Sequence, residues 1–376
     1  MAIAFVALSL SVRDWDARSF ALIGKRFEQS DPTGNRGYDG QFAYYIAIDP
    51  IGAARTMDAA AYRYLRIVYP ALGWLLSLGG QAALVPWMLI AVNVIALGAI
   101  ASLLGDLLEW HAASRWYALV APLTAGMLFA LRADLNEPLA LALALGAVTI
   151  LSRSGRHLPP LLRYGDLRET PPTQMPRTGA VTILLALSAL TKETGYVYAG
   201  GVVLWLLASR HWRTAIGVGL GSLGPSIVWG ALVSAWLGQS PFATERTRFE
   251  AIPFGGLRFT EPAQAQLILV LWIVIPSIVL TLALARDALR GRRGLSAFLL
   301  GANVLFVTFM PRASYIDTFA VMRLAGGMMA ASLIWLAATD RRRWLPYFAG
   351  LWAPSGLLLL ILPGVLAACA PLSGVG

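Results

Sequence analysis

Acidic and basic residues are scarce in this chain: only 13% of its 376 residues are charged, against about 25% in an ordinary soluble domain. Hydrophobic residues make up 57%, and mean hydropathy is +0.65. A soluble protein of this length needs a charged shell that this composition cannot supply. That excludes a soluble enzyme, a disordered tail protein and a fibrous repeat. Cysteine occurs once, at Cys369, which excludes an intrachain disulfide and a cysteine-based zinc site. His111, His157 and His211 are the only histidines, too few and too scattered for a histidine metal cluster. The formal net charge is +10, yet no basic stripe is interleaved with aromatics, so nucleic acid is not an expected partner. The excess fits arginine-biased inner connections and contact with anionic membrane lipids.

What the chain does have is apolar runs approaching the roughly 20 residues of a membrane-crossing helix. They are Ala82–Leu104, Trp116–Leu131, Leu135–Leu151, Ala215–Leu237, Leu267–Leu284, Phe298–Met310, Phe319–Ala337 and Pro346–Cys369. Ala180–Ala208 is apolar at both ends and interrupted by Thr191-Lys192-Glu193-Thr194-Gly195, which predicts two short helices meeting at a polar elbow. Met1–Val12 is short for a span and has no basic n-region, so it is a poor signal peptide. It is taken as a first span that either continues through Arg13–Phe20 or starts upstream. The expected fold is all-α: a polytopic integral membrane protein of about 10–11 transmembrane helices, plus short interfacial helices in the first outer loop.

Orientation follows from arginine. With the amino terminus inside, the inner connections are Gly105–Arg115, Ser152–Thr178, Ser209–Arg213, Arg286–Gly294 and Thr339–Trp344, and they hold more cations than the short outer ones. The positive-inside rule therefore places the amino terminus inside and the carboxyl terminus outside. Residues 1–376 read as one transmembrane domain, with an outer loop over 13–80 and a proline- and arginine-rich cytoplasmic linker over 152–178. No internal repeat is visible, which tells against a transporter built from two related halves.

In this topology mixed acids and bases gather at the outer helix mouths, where charge needs a reason. The most distinctive stretch is Gly37-Tyr38-Asp39-Gly40-Gln41-Phe42, running on to Asp49-Pro50. Asp39 sits in a glycine-flanked turn before an aromatic helix that would lie along the interface and hold it at headgroup height. The same residues also suit a plain turn followed by an aromatic belt. Arg63 and Arg66 are three apart and share a helix face, where they either clamp a phosphate or snorkel. Arg132, Asp134 and Glu137 open a span, with Asp134 and Glu137 spaced as a capping box. Lys192 and Glu193 break an apolar run, either as a phosphate-binding lysine with its orienting neighbour or as a self-satisfied ion pair at a helix end, and the cost of charge in such a run favours the former. Arg323 lies just inside a late span, near Arg312 and Asp317.

As a set, Gly37–Phe42, Arg63–Pro70, Asp134–Pro138 and Leu190–Gly195 resemble the GT-C superfamily of polytopic membrane glycosyltransferases. The likeness is closest to bacterial members distantly related to the GPI mannosyltransferases and the protein O-mannosyltransferase-like enzymes. It covers roughly the first half of the chain, and the second half matches in hydropathy alone. The resemblance implies an inverting glycosyltransferase of the bacterial inner membrane. It would move a hexose or pentose from a polyprenyl-phosphate donor to an unidentified acceptor on the outer face. By position Asp39 is the implied general base, with Tyr38 and Gln41 beside it at the substrate. Lys192, with one or more of Arg63, Arg66, Arg132 and Arg323, would stabilise the departing phosphate, with Asp134, Glu137 and Glu193 nearby. No cofactor is implied, and a divalent cation is left open. The chain departs from the family pattern in two ways: Asp39 stands without a paired acid, and the loop before it is long. The rival readings are a transporter or flippase of a lipid-linked or anionic solute, and a structural subunit whose outer carboxylates merely pair with one another.

Overall fold

A computed structural model describes residues 1–154, 177–241 and 248–361. Among the described residues every regular element is helical and no strand forms. In chain order the helices are α1 (Ala2–Ser11), α2 (Lys25–Glu28), α3 (Gly40–Ile48), α4 (Ala60–Tyr64), α5 (Val68–Leu76), α6 (Val85–Trp110), α7 (Ala125–Arg132), α8 (Glu137–Ser154) and α9 (Thr178–Thr191). They continue with α10 (Thr194–Ala208), α11 (Trp212–Leu237), α12 (Ala263–Leu269), α13 (Ile275–Leu289), α14 (Leu295–Thr308), α15 (Arg312–Tyr315), α16 (Thr318–Leu324), α17 (Gly326–Ala338) and α18 (Leu345–Ile361).

Among the described residues, 4 segments are long and apolar enough to cross a membrane: Val85–Trp110, Trp212–Leu237, Ala263–Leu289 and Thr318–Ala338. Helices α1, α9, α10 and α14 are apolar but shorter, at 10, 14, 15 and 14 residues. The elbow expected at Thr191–Gly195 is present: Lys192 is extended, with φ −160° and ψ 149°, and separates α9 from α10. Two expected runs are broken. Trp116–Leu131 divides into a 3₁₀ turn, Arg115–Val120, and the short α7. The first helix does not run on through Arg13–Phe20; it ends at Ser11, and Asp14 and Trp15 take positive φ of 52° and 60°, a conformation that breaks a right-handed helix. The linker at 155–176 and the end of the Pro346–Cys369 run lie outside the described residues.

The core forms around α17, which is buried at every position from Gly326 to Ala337. A helix that is apolar all round belongs inside other helices. It packs on α14, α6 and α18, while α8 packs on α6 and α9, and α10 lies between α11 and α14. Arg323 precedes α17 and Arg341 follows it, so the helix separates the two ends of the bundle.

The aromatic helix α3 is a correction to its expected interfacial position. Gln41 to Tyr44, Ile46 and Ala47 are all buried, so α3 is wedged into protein against α5 and α6. Gly40 permits this: a Cβ there would lie 1.9 Å from the Ala133 carbonyl oxygen, in the turn before α8. Gly126 does the same for the later helices, since its Cβ would meet the Arg323 amide nitrogen at 2.4 Å. These two backbone approaches bring Asp39 and Arg323, far apart in sequence, to the same end of the bundle. Gly40→Ala is expected to lower the midpoint of thermal unfolding followed by circular dichroism, on the scale of an overpacking penalty of about 1–3 kcal/mol. An unchanged midpoint would mean that α3 tolerates displacement from the turn.

Candidate functional site

Asp39 occupies the N-cap position of α3 with helical backbone angles. Its carboxylate is therefore not spent on capping and projects into an open cavity of about 740 Å³. The loop before it is held down by Gln41, whose side-chain carbonyl accepts from the Gly24 amide at 3.1 Å and whose amide donates to the Arg36 carbonyl at 2.7 Å. Gln41 lines the cavity but works as a staple. Tyr38 donates its hydroxyl proton to Asp317, which also accepts from the Phe319 amide at 2.9 Å and so caps α16.

Four cations converge on Asp39 and its acidic neighbours. Arg63 places Nη1 2.9 Å from Asp39 Oδ1, grips Asp58 through Nε at 3.0 Å and Nη2 at 3.1 Å, and lies 4.1 Å over the Phe42 ring. Arg66 directs Nη1 to Asp39 Oδ2 at 3.8 Å and Nε to Glu193 Oε1 at 3.0 Å, and packs over Tyr62. Lys192 Nζ lies 3.1 Å from Glu137 Oε1 and 3.9 Å from Glu193 Oε2. Arg323 donates from Nη1 to Glu137 and places Nη2 3.9 Å from Asp39 Oδ2. Both arginines of α4 and its edge are buried, which removes the snorkelling alternative for Arg63 and Arg66. The side chains of Asp39 and Glu193 remain 32% and 29% exposed, while that of Glu137 is 2% exposed. Glu137 is thus the buried tie between Lys192 and Arg323, while Asp39 and Glu193 are both open to the cavity.

The electrostatics follow from this crowding. Burial pushes the Asp39 carboxyl up, but Arg63, Arg323, Arg66 and Lys192 together outweigh it and hold the group below the usual carboxylate range. The same balance, burial against Arg66 and Lys192, lowers Glu193 to about 2. Lys192 stands in the elbow, outside both flanking helices. Burial and the nearby Arg66 lower it to about 8 against the opposing pull of Glu137 and Glu193. Such shifts gather where charge has been concentrated for a task.

The structure brings together Tyr38, Asp39, Gln41, Arg63, Arg66, Glu137, Lys192, Glu193 and Arg323. It does not bring Arg132 and Asp134 to the cavity. Arg132 is buried at the end of α7, where it donates to the Ser19 carbonyl at 2.9 Å and lies over the Phe20 ring. Asp134 has a positive φ of 46°. It does not complete a capping box, since neither carboxylate oxygen has a hydrogen-bond partner among the described residues. Burial raises its pKa well above the ordinary carboxylate range, with only Arg132 opposing.

Several cavity residues escaped sequence reasoning. Asp58 and Tyr62 carried no motif, and Arg26 and Arg36 looked like ordinary loop cations, yet all four line the cavity. The chain's second half supplies an apolar side of the wall through Phe249, Phe306 and Pro311. Among the described residues no three acids, histidines or cysteines converge as a metal site, and the groups facing Asp39 are cations, a donor set unsuited to a divalent ion. No known family, curated protein or solved structure matches the chain.

Glu137→Gln removes the shared acid of two buried cations. Breaking such a pair costs about 3–5 kcal/mol, so the thermal midpoint should fall much further than for Asp58→Asn, whose partner Arg63 keeps Asp39. Equal midpoints for the two variants would show that Glu137 is not the tie.

Proposed function

We propose that the chain is a polytopic membrane glycosyltransferase of the GT-C type, embedded in the bacterial inner membrane with its cavity on the outer face. It takes a sugar from a polyprenyl-phosphate donor and gives it, with inversion, to an acceptor hydroxyl. The observation that carries this reading is a partly open carboxylate, Asp39, within 4 Å of three buried arginines, Arg63, Arg66 and Arg323, with the buried Lys192 on the same cavity of about 740 Å³. An inverting transfer needs a base for the acceptor proton and positive charge for the departing phosphate.

In the proposed step the acceptor oxygen attacks C1 of the sugar and its proton passes to Asp39. The bond between C1 and the phosphate oxygen breaks, and the electron pair leaves on polyprenyl phosphate. The glycoside and the lipid phosphate are the products, and the proton on Asp39 returns to water. In the empty cavity Asp39 is tied to Arg63, so it is a weak base at rest. A donor phosphate competes for Arg63, Arg66, Lys192 and Arg323 and adds negative charge near Asp39. Both effects raise the basicity of Asp39 only when the donor is bound. A transporter would need polar lining to both ends of the bundle. Next to Glu137 and Arg323 the interior narrows to a cavity of about 10 Å³ among Met127, Ala140, Leu141 and Leu324, which favours a site closed at its base.

Purified protein in nanodiscs, titrated with polyprenyl phosphate and polyprenyl-phosphate sugars, tests this directly. Asp39→Asn removes the carboxylate that the donor phosphate must displace, so it should bind donor at least as tightly as wild type and lose about 10²–10⁴-fold in transfer, the usual contribution of a general base. Lys192→Ala should lose donor affinity. Transfer retained by Asp39→Asn would remove the base assignment, and absence of any lipid-phosphate binding would remove the reading as a whole.

The pH profile supplies a second check. The ammonium of Lys192, which attracts phosphate, is present below about 8 and is lost as pH rises through that value. Donor affinity should therefore fall above about pH 8, and Lys192→Arg should flatten that limb. On the acid side Asp39 is held ionised in the donor-free protein, so transfer at limiting donor should not fall near the ordinary carboxylate pKa of about 4 through its protonation, whereas the acid limb at saturating donor should shift to higher pH because bound donor raises the basicity of Asp39. An alkaline limb identical in Lys192→Arg would assign it to another group.

A further inference from the structure

At the end of α17 away from Asp39, two adjoining cavities lie on neighbouring faces of α13 and share Leu282. The first, of about 380 Å³, is lined by Arg286, Arg290, Arg341 and Arg343 with Asp340 as its acid. Arg341 is committed to the buried Asp287, at 2.6 and 2.8 Å, and Asp340 is held by Arg292 at 2.9 Å. Arg286, Arg290 and Arg343 make no ion pair among the described residues, nor does Arg293 nearby. Arg286, in the last turn of α13, and Arg290, its C-cap, are four residues apart and line the same pocket. Unpaired cations this close repel one another and call for an anion.

The second cavity, of about 710 Å³, is an apolar groove between α13 and α14. Arg292 and Arg293 stand at its head, in the turn between the helices, and Phe309 closes its foot. Leu282 and Leu305, which line it, are 66% and 63% exposed. The 14 residues of α14 extend about 21 Å at 1.5 Å per residue, enough to span one leaflet of a hydrocarbon core about 30 Å thick. A cationic pocket continuous with an apolar groove of leaflet depth has the chemistry of a phospholipid seat. A free phosphate would satisfy the arginines and leave the groove unused.

We propose that this end of the protein binds one anionic phospholipid. Its phosphate rests on Arg286, Arg290 and Arg343, with Arg293 flanking, and an acyl chain runs past Leu282 along the α13–α14 groove. This rests on the bundle being membrane-embedded and on no part of the transfer chemistry.

The test is native mass spectrometry of the full-length protein titrated in detergent with phosphatidylglycerol, phosphatidylcholine and soluble glycerol phosphate. Wild type should retain phosphatidylglycerol and release phosphatidylcholine. At roughly fivefold per arginine near an anionic headgroup, the triple change Arg286→Ala, Arg290→Ala, Arg343→Ala should weaken phosphatidylglycerol on the order of a hundredfold. A Cβ at Gly301 meets nothing within 4 Å, so Gly301→Phe fills the groove without a clash at its root and should also weaken retention. Asp39→Asn should retain the lipid as wild type does, which separates this site from the transfer site. Equal retention of the two phospholipids, or undiminished retention in Gly301→Phe, overturns the proposal even if the triple variant fails to fold. Displacement of phosphatidylglycerol by equimolar glycerol phosphate overturns it too, in favour of a soluble anion. Lipid selectivity with no sugar transfer under any condition would keep this site and remove the transferase reading, and transfer without lipid selectivity would do the reverse.

Discussion

Lys192, Arg323, Arg63 and Arg66 are withdrawn from water on one side of a single cavity, and that desolvation has to be offset by nearby carboxylates. Removing a charge from water costs several kcal/mol per ion even after relaxation. The offset here is shared: Glu137 serves Lys192 and Arg323, Glu193 serves Arg66 and Lys192, and Asp39 serves Arg63, Arg66 and Arg323. Because each acid answers more than one cation, no member can move alone. That mutual dependence draws α4, the start of α8, the elbow after α9 and the segment before α17 to one end of the bundle.

The same requirement explains what was legible in the sequence. In a chain this poor in charge, a Lys–Glu pair inside an apolar run or an arginine at the start of a late span stands out, because such residues are rarely tolerated without a partner. The elbow at Lys192 and the long helices α6 and α11 were visible for that reason. The partners were not. Arg66 finds Glu193 across 127 positions and Arg323 finds Glu137 across 186, and local spacing carries no record of such pairings. Local rules misled most where the backbone leaves the helical region. Asp134 and Glu137 have the spacing of a capping box, yet the positive φ at Asp134 directs its carboxyl into the interior. Gly40 reads as half of a turn, but its larger effect is the missing Cβ that lets α3 settle against the Ala133 carbonyl.

The two ends of the bundle handle charge differently. At the Asp39 end acids and bases are matched and mostly buried, so the net field is small while individual groups are strongly held. At the other end, among the described residues, arginines outnumber acids and Arg286, Arg290, Arg293 and Arg343 make no ion pair. Helix α17, buried along its length, insulates one arrangement from the other. A ligand anion at the first end must displace carboxylates already in place. At the second it meets arginines that make no ion pair among the described residues, which is the basis for the lipid seat proposed there.

In the proposed transfer, displacement at the first end gives the cavity a direction of reaction. A carboxylate locked to guanidinium groups is a poor base, and a cavity of unpaired cations would hold any passing anion. Pairing them suppresses both faults while the cavity is empty. A phosphate that enters takes over the cations and releases Asp39 in the same event, so base strength and leaving-group stabilisation rise together. The interactions are then stronger in the reacting complex than in the free protein, which is the condition for lowering a barrier rather than merely binding a substrate. The arrangement also favours a phosphate ester bearing a neutral sugar over a free sugar, because only the former supplies the charge that exchanges with Asp39.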